Sequence, residues 1–305
     1  MDSADYDALA TSAAFLPARP VGLLELTGED RVRFLNGQAT NDIQALKDGQ
    51  SVYTAFTNAK GKMRCDGHVM GFADKLWIAT NSGAAPKLAA ELDKFIIADD
   101  VVVSDRSQEF RLISLRGPRC REANSDLGGA IVIPVFWGGE NAFDLLVTAA
   151  TAATWEKRIA RTARKVGPDA FETRRVELGV PEFGVDMDEN TLPPEAGLES
   201  RAISYTKGCY IGQEVISRIK SVGHVNRHLF ALEISGDAQR GAKLTFEDGA
   251  DAGAITSVAT LPGGRRVALG YVKRRGDSPV PGKLKGPGFE AILRGAPASL
   301  PTPAS

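Results

Sequence analysis

Ten consecutive residues, 205–214, combine side chains that are suited to chemistry. The segment Y-T-K-G-C-Y-I-G-Q-E contains an ammonium (Lys207), a thiol (Cys209), an amide (Gln213) and a carboxylate (Glu214). Its glycines allow the backbone to approach a ligand or another chain segment closely. The apolar residues that follow predict a short helix, whose first turn would present free backbone N–H groups. We interpret this thiol segment as a site; a buried turn followed by a helix is the structural alternative.

Cys209 is the candidate reactive group of the thiol segment. A neighbouring ammonium and a helix N-terminus would both lower the pKa of the thiol and favour the thiolate. No candidate base stands beside Cys209 in the sequence, so the pattern does not indicate a Cys–His catalytic pair. We therefore expect a redox-sensitive or ligand-contacting thiol and not a hydrolytic nucleophile.

A second group of polar residues occupies residues 181–198, a long segment with little periodicity. Loops of this length inside a compact domain are uncommon and often functional. The pattern D-M-D-E-N at its centre imitates the start of a calcium loop, but the glycine and glutamate needed at the sixth and twelfth positions are missing. The carboxylates of Asp186 and Glu195 are then candidates for accepting paired hydrogen bonds from a ligand. A solvated acidic loop is the alternative.

Composition excludes several classes of function. The formal net charge of −1 gives no global field to hold a polyanion, so nucleic-acid binding is not expected. The three cysteines contain no Cys-x-x-Cys pair, which fits a reducing compartment and argues against a metal site built from the chain's own thiols. No apolar stretch is long enough to span a membrane. Acidic residues near the start do not resemble a targeting peptide. We expect a cytoplasmic protein.

The pattern of apolar residues predicts an α+β fold. Short strands mixed with helices, including strands at residues 21–26, 52–57 and 63–72, indicate antiparallel sheets in the first two thirds of the chain. After residue 227 the predicted strands are short and evenly spaced, which is typical of a small barrel. We predict a region at 1–226 made of two α+β subdomains, a β-barrel domain at 227–295 and a disordered tail at 296–305.

Three separated segments resemble the YgfZ family of folate-binding proteins, which is related to the glycine-cleavage T-protein, an aminomethyltransferase. F-L-N-G-Q-A-T-N-D at residues 34–42 is similar to the family's F-L-x-G-Q-x-T-N-D. Residues 179–198 are similar to its G-x-P-x-x-G-x-D … P-x-E-A-G-L, and residues 207–214 to its K-G-C-Y-x-G-Q-E. The order and spacing of these motifs cover most of the chain.

The resemblance implies an N-terminal folate-binding region of two interleaved α+β subdomains, a C-terminal barrel, and tetrahydrofolate bound in a central channel. It also implies a role in assembling or repairing iron–sulfur proteins, mainly those with 4Fe-4S clusters, together with A-type carriers and client enzymes. The pocket is expected where the acidic segment meets the thiol segment. The implied folate contacts are Asp186 or Glu195 together with Lys207, Gly208, Tyr210, Gln213 and Glu214.

One motif departs from the T-protein pattern. T-proteins have an acidic pair after an Asn-x-x-Gly turn, whereas residues 58–66 are N-A-K-G-K-M-R-C-D, with Cys65 in place of the first acid and Asp66 retained. This favours an iron–sulfur maturation factor that binds tetrahydrofolate and that is not a classical enzyme. The second hypothesis is a folate-dependent one-carbon transferase, in which Asp66 assists the folate nitrogen. The third is an interaction module with a vestigial channel.

Overall fold

The computed structural model of the protein describes residues 2–123, 127–137, 141–276 and 282–295. They form two five-stranded sheets and a closed six-stranded barrel, joined by helices and one long irregular segment. The predicted α+β class with antiparallel sheets and a C-terminal barrel is therefore confirmed. The predicted tail at 296–305 lies outside the described residues, and the domain boundaries stay a prediction.

Sheet I is antiparallel and has the strand order β3-β4-β5-β2-β6. Its strands are β2 (Gly22–Thr27), β3 (Ser51–Thr57), β4 (Met63–Gly71), β5 (Leu76–Thr80) and β6 (Val102–Asp105). Helices α2 (Arg31–Gln38) and α3 (Ala85–Asp93) cover its outer face. Leu88 and Leu92, four residues apart on α3, pack there with strand residues such as Cys65 and Val69.

Sheet II has the strand order β10-β1-β7-β9-β8, and its β1–β10 pair is parallel. Its strands are β1 (Ala14–Arg19), β7 (Phe110–Arg116), β8 (Ile131–Pro134), β9 (Phe143–Thr148) and β10 (Arg164–Lys165). The helices of this half are α1 (Ser3–Thr11), α4 (Cys120–Ala123), α5 (Ala152–Ile159) and α6 (Pro168–Glu177). The chain begins in sheet II, passes through sheet I and returns, so the two halves are interleaved.

The inner faces of the two sheets pack against each other. Leu23, Met70 and Trp77 of sheet I meet Ile133 and Leu146 of sheet II in one buried cluster. Because side chains alternate along a strand, the residues between them point to the outer faces and pack under the helices. The inner layer between the sheets is therefore built from every second residue of the central strands.

The irregular segment after α6 connects the sheets to the barrel. It contains a 3₁₀ helix (Pro193–Ala196), α7 (Glu199–Ala202) and α8 (Gln213–Val222). Ala196 and Leu198 pack against Ala55 and Met63 of sheet I, with almost no exposed surface at any of the four. The segment is thus an integral wall of sheet I.

The barrel closes in the strand order β11-β14-β13-β12-β15-β16. Its strands are β11 (Arg227–Gly236), β12 (Lys243–Thr245), β13 (Asp251–Thr260), β14 (Arg266–Lys273), β15 (Lys283–Gly286) and β16 (Phe289–Gly295). Val176 of α6 packs on Leu229, Leu269 and Tyr271 of the barrel wall. Within the described residues, no helix has the length and apolar character needed to cross a membrane.

Candidate functional site

One end of the layer between the sheets is polar. Along β4 the inward positions change from Asp66 and His68 to the apolar Met70. On β7, Ser114 and Arg116 occupy positions that alternate with the outer-face core residues around them. The same strand register that builds the apolar layer therefore continues into a group of polar and charged side chains. Polar and charged side chains that converge at one end of a core are typical of a binding cavity.

Partial exposure of enclosed groups indicates a cavity at this polar end. Burial raises the pKa of Asp66 and lowers that of His68, so both side chains lie away from bulk water. Both nevertheless keep some accessible surface. Glu182, on the irregular segment, has 47% side-chain exposure although burial raises the pKa of its carboxyl too. We refer to this space, lined by Tyr53, Asp66, His68 and Glu182, as the inter-sheet cavity.

Asp66 and Tyr53 form the main polar pair of the inter-sheet cavity. The Tyr53 hydroxyl donates to Asp66 Oδ2 at 2.5 Å. Burial, followed by the charge of Asp66, raises the pKa of Tyr53 well above its ordinary value, so the phenol remains a donor. Burial raises the pKa of Asp66 against the opposing effect of this hydrogen bond. A carboxyl group whose pKa is raised in this way takes up a proton from a ligand more readily than an exposed aspartate does.

Cys65 points away from the cavity. It belongs to the core under α2 and α3 and has 1% exposure, and burial raises the pKa of its thiol. Adjacent residues of a strand face opposite sides of the sheet, so an acid at position 65 would enter this apolar core. The departure from the T-protein pattern therefore removes no carboxylate from the cavity. The absence of an acid at position 65 is therefore no argument against one-carbon transfer.

His68 extends the cavity from Tyr53 toward sheet II. The two rings lie 5.1 Å apart between centroids, and His68 Nδ1 is buried without a hydrogen-bond partner. Burial lowers the pKa of His68 to about 4, with Asp144 and Arg116 as its nearest charged influences. The imidazole is therefore neutral at physiological pH.

His68 should make folding stability fall in mild acid. The unfolded chain binds the imidazole proton with a pKa near 6.5, whereas the folded protein does so only near 4. Stability is thus complete above pH 6.5 and decreases by about 2–3 kcal/mol as the pH falls to 4. Urea unfolding of wild type and His68→Gln between pH 4 and 8 measures this difference. Parallel pH profiles for the two proteins would contradict it.

Two arginines of sheet II, Arg116 and Arg19, have polar partners beside the cavity. Arg116 lies 2.9 Å from Asp144 as a buried ion pair and stacks over Trp137 at 4.7 Å. Arg19 donates to Ser114 at 2.8 Å. Burial opposes ionisation of Asp144, but Arg116 and Arg19 together lower the pKa of this carboxyl. Two arginines and one aspartate thus form this wall of the cavity, in which the arginines outnumber the carboxylate.

Arg201 differs from the other arginines of the cavity. It lies on α7 with its guanidinium 4.2 Å from the ring of Phe136, and its charge acts on Asp66 and Tyr53. Its Nε and Nη2 atoms are buried without any hydrogen-bond partner. Burial lowers the pKa of Arg201, while Tyr53 and Asp66 raise it. Sequence reasoning missed this residue, because α7 is too short to give a periodic signal.

The thiol segment lies elsewhere and is attached to α2. Lys207 Nζ donates to the backbone carbonyls of Asn36, Ala39 and Asn41 at 2.5, 2.7 and 2.9 Å. Its donors thus satisfy the C-terminal end of α2. Gly212 has φ +86°, and a Cβ there would lie 2.6 Å from the carbonyl oxygen of Asn58. Two of the motifs recognised in the sequence therefore pack on each other.

The predicted pocket between the acidic and thiol segments stays a prediction, and within the described residues the thiol segment has no direct contact with the inter-sheet cavity. No hydrogen bond, ion pair or ring contact found in the described chain joins residues 205–214 to Tyr53, Asp66, His68 or Arg201. Within the thiol segment, Tyr210 is buried, Gln213 is half-buried, and Gly208, Cys209 and Glu214 are exposed. A role for these residues and for Lys207 in ligand binding stays a prediction, and the geometry gives Lys207 a structural task.

Asp186 is a structural carboxylate in this geometry. Its side chain is fully buried and accepts from Arg175 at 2.6 Å, from the Glu182 backbone N–H at 3.1 Å, and from Thr256 and Ser257 at 2.5 and 2.7 Å. Both oxygens are thereby occupied, so neither is free for a ligand. Asp186 instead connects the irregular segment to α6 and to barrel strand β13.

Glu195 retains one free oxygen. Its Oε2 accepts from the backbone N–H of Leu192 and from Arg227, each at 3.1 Å. Within the described chain no hydrogen bond to Oε1 is found, although the residue is only 7% exposed. Of the two predicted pterin carboxylates, Glu195 is the one whose geometry still allows a ligand contact.

Two open depressions lie on the surface outside the inter-sheet cavity. One, of about 420 Å³, is lined by barrel residues together with Glu172 and Val185. The other, of about 510 Å³, lies between α3 and the β3–β4 turn and includes Ile211 of the thiol segment. Neither is lined by Asp66, Tyr53, His68 or Arg201, so we place the candidate chemistry in the inter-sheet cavity, where burial partly shields charged groups from bulk water.

Sequence comparisons find similarity to aminomethyltransferases and related proteins. Residues 2–130 match the family model described as the GCVT N-terminal domain. The chain is 27% identical over 317 residues to an aminomethyltransferase of Rubrobacter xylanophilus, covering 96% of this chain and 82% of that protein. It is 26% identical over 302 residues to a putative chloroplastic transferase of Arabidopsis thaliana, covering 91% and 69%.

The structural comparison agrees. The glycine cleavage system aminomethyltransferase T of Bartonella henselae superposes with a TM-score of 0.84 at 21% identity, covering 97% of this chain and 88% of that one. The protein therefore has an aminomethyltransferase-like fold, and its residues 2–130 are similar to the GCVT N-terminal domain. The aminomethyltransferase family uses tetrahydrofolate as a substrate or cofactor. The narrower resemblance to the YgfZ family finds no separate support in these comparisons.

Proposed function

We propose that this protein binds tetrahydrofolate in the inter-sheet cavity and acts as a folate-dependent one-carbon transferase of the aminomethyltransferase kind. The observation that carries the proposal is Asp66, a carboxylate that is held by Tyr53 and lies between the two sheets of an aminomethyltransferase-like fold. The one-carbon transferase, which was the second hypothesis from the sequence, is thereby placed before the iron–sulfur maturation factor. The reason is that Cys65 faces the core and not the cavity.

The residues of the cavity fit a reduced pteridine. Tyr53 and His68 provide aromatic surface, and Asp66 offers a carboxylate that keeps accessible surface toward the N–H groups of such a ring. When bound, tetrahydrofolate supplies the secondary amine nitrogen that takes up a one-carbon unit. The walls of the cavity keep water away from the charged groups, which strengthens their interactions with a ligand.

Asp66 would hold or move a proton at the ligand nitrogen. Its raised pKa, caused by burial, makes the protonated and ionised forms closer in free energy near neutral pH than for an exposed aspartate. Tyr53 fixes Oδ2 and so orients the carboxyl group. Together the two residues form a positioned acid–base pair.

Titration with tetrahydrofolate tests the proposal. We expect heat of binding in calorimetry and a rise in melting temperature, because a ligand bound only to the native state stabilises it by about 2.7 kcal/mol at about 100 times its Kd. Tetrahydropterin should bind as well, whereas p-aminobenzoylglutamate, which lacks the pteridine, should bind far more weakly. Absence of heat and of any melting shift at millimolar tetrahydrofolate would overturn the proposal.

A second candidate function is maturation of iron–sulfur proteins with A-type carriers and client enzymes. The observation that favours it is Cys209, an exposed thiol in a segment that Lys207 fixes to α2. An exposed thiol on an anchored loop is suited to transient contact with a partner. Activity of cluster enzymes in cells that carry only the Cys209→Ser variant separates this role from folate chemistry, since full activity would exclude the thiol.

A further inference from the structure

Two residues of the first sequence motif, Thr40 and Asn41, attach α7 to sheet I. The side-chain amide of Asn41 donates to the backbone carbonyl of Tyr53 at 2.9 Å and to that of Arg201 at 3.1 Å. The hydroxyl of Thr40 donates to the backbone carbonyl of Ala202 at 2.5 Å. One amide group therefore links the strand that carries Tyr53 to the helix that carries Arg201.

The side chain of Arg201 extends from sheet I toward sheet II. Its backbone is linked through Asn41 to β3 of sheet I, whereas its guanidinium carbon lies 4.2 Å from the ring centre of Phe136, which follows the end of β8 in sheet II. The guanidinium therefore lies between the sheets, in the layer that contains the hydrogen-bonded pair of Tyr53 and Asp66. The hydrogen bonds of the motif hold the positive charge in this layer.

The described residues provide no partner for this charge. Nε and Nη2 of Arg201 are buried without a hydrogen-bond partner, and no ion pair of Arg201 is found in the described parts of the chain. Buried charges are normally paired, because an unpaired charge is unfavourable away from water. In a medium of low dielectric constant, a charge acts on other ionisable groups over a longer distance than it does in water. Arg201 is therefore able to act on groups to which it donates no hydrogen bond.

The ionisable groups around Asp66 come from several elements. Those beside it in the cavity are Tyr53 of β3, His68 of β4, Glu182 of the irregular segment and Arg201 of α7. Two of the four, Tyr53 and His68, are neutral at physiological pH, and a third is an acid. Arg201 is the cation of this group, and it lowers the pKa of Asp66, which burial raises.

The charged groups of sheet II interact mainly with one another. Arg116 and Arg19 both lower the pKa of Asp144, and Arg116 forms an ion pair with it. Asp144 and Arg116 also act on His68. The charge that acts on Asp66 is therefore that of Arg201.

We propose that Arg201 is a positioning residue of the acid–base pair: its unpaired charge, fixed by Asn41, stabilises the ionised form of Asp66, which takes up a proton from the ligand nitrogen. The role in catalysis rests on the proposed function, whereas the effect on the charge of Asp66 is a property of the free protein. Arg201 acts through Asp66 and needs no contact with the ligand. A direct ion pair would lower the pKa of Asp66 by about 1–3 units and weaken it as a base, whereas a more distant charge only moderates the effect of burial.

Removal of this charge should raise the pKa of Asp66. Arg201→Met keeps an unbranched side chain that can pack on Phe136, but it removes an interaction that favours the carboxylate over the carboxylic acid. We expect the ionisation midpoint of Asp66 to rise by at least about half a pH unit in Arg201→Met and in a second neutral variant, Arg201→Gln. Arg201→Lys keeps a positive charge and should show less than half of this rise.

Carbon-13 NMR of the aspartate side-chain carboxyl groups measures this midpoint in the ligand-free protein. The Asp66 resonance is identified by its absence in Asp66→Asn, and cooperative melting of each variant shows that it is folded. The exposed Arg161→Met variant is the matched control for loss of one positive charge and should titrate as wild type does. Asn41→Ala keeps the charge of Arg201 but removes the link that fixes α7. The guanidinium can then leave its buried place for solvent, so the midpoint should rise in this variant too.

The dependence of the transfer rate on pH adds a second readout. The acidic limb of the profile should move to higher pH in Arg201→Met by the same amount as the NMR midpoint, and Arg201→Lys should largely restore it. An unchanged Asp66 midpoint in both neutral variants, or a rise in Arg201→Lys as large as in Arg201→Met, would overturn the inference. An unchanged midpoint in Asn41→Ala would remove Asn41 from it. If the midpoint moves as expected but wild type neither binds tetrahydrofolate nor transfers a one-carbon unit, the proposed function alone is wrong.

Discussion

Replacement of Asp66 by asparagine should reduce one-carbon transfer to tetrahydrofolate by about 100- to 10,000-fold, the usual contribution of a positioned acid or base. Asparagine keeps the size of the side chain and can still accept from Tyr53, so the fold and the ligand affinity should change little. The amide cannot take up or release a proton at the ligand nitrogen. The measurement is the rate of methylenetetrahydrofolate formation from an aminomethyl donor under saturating conditions.

Cys65→Ala provides the matched control for Asp66→Asn. The two positions are adjacent in β4, but Cys65 faces the apolar core under α2 and α3. We expect Cys65→Ala to keep the catalytic rate and to lose only some stability from the smaller side chain. Equal rates in wild type and Asp66→Asn would remove Asp66 from the mechanism and return the iron–sulfur hypothesis to first place.

The sequence predicted the helices and strands better than the tertiary contacts between them. The strand predicted at residues 63–72 is β4 at Met63–Gly71. Alternation along this strand places Asp66 and His68 on one face, which the sequence analysis did not use. The even spacing of short strands predicted the barrel, whose first strand begins at Arg227. These features depend on local periodicity, which a single sequence contains.

Long-range pairings could not be predicted in the same way. Residues 1–20 gave a weak pattern, but they form α1 and β1, and β1 pairs with β7 and β10 from distant parts of the chain. The inter-sheet cavity needs both sheets, so no local motif contains it. Arg201 comes from a four-residue helix and obtains its environment from Phe136 and Asp66.

Residue type alone was also a misleading guide to function where a charged side chain stabilises the fold. Lys207 resembles a ligand-binding ammonium in the sequence, yet its three hydrogen bonds are to backbone carbonyls around the end of α2. Gly212 is needed because of its positive φ and the nearby Asn58 carbonyl. Part of the resemblance to known families in the thiol segment is thus explained by packing between two motifs.

Replacement of Arg175 by methionine should lower the free energy of unfolding by about 3–5 kcal/mol, the usual cost of leaving one member of a buried ion pair without its partner. Arg175 has 4% side-chain exposure and donates to Asp186, Glu172, Ser257 and the carbonyl of Val180. Its loss would leave the fully buried Asp186 with hydroxyl and backbone donors but no positive charge. Equilibrium unfolding in urea measures the effect.

Arg265→Met is the control for Arg175→Met. It removes the same positive charge from an exposed position, so it separates the effect of burial on stability from the effect of charge. Arg265 pairs with Glu177 at 2.9 Å but is 47% exposed, so its loss should cost less than about 1 kcal/mol. Asp186→Asn should destabilise the protein by an amount comparable with Arg175→Met, and the double variant should cost less than the sum, because the two side chains form one network. If Asp186 instead bound the pterin, Asp186→Asn would abolish tetrahydrofolate binding at unchanged stability. Asp186→Asn therefore distinguishes two possible ligand sites. Loss of stability with retained tetrahydrofolate affinity favours the cavity around Asp66, whereas loss of affinity with retained stability favours Asp186.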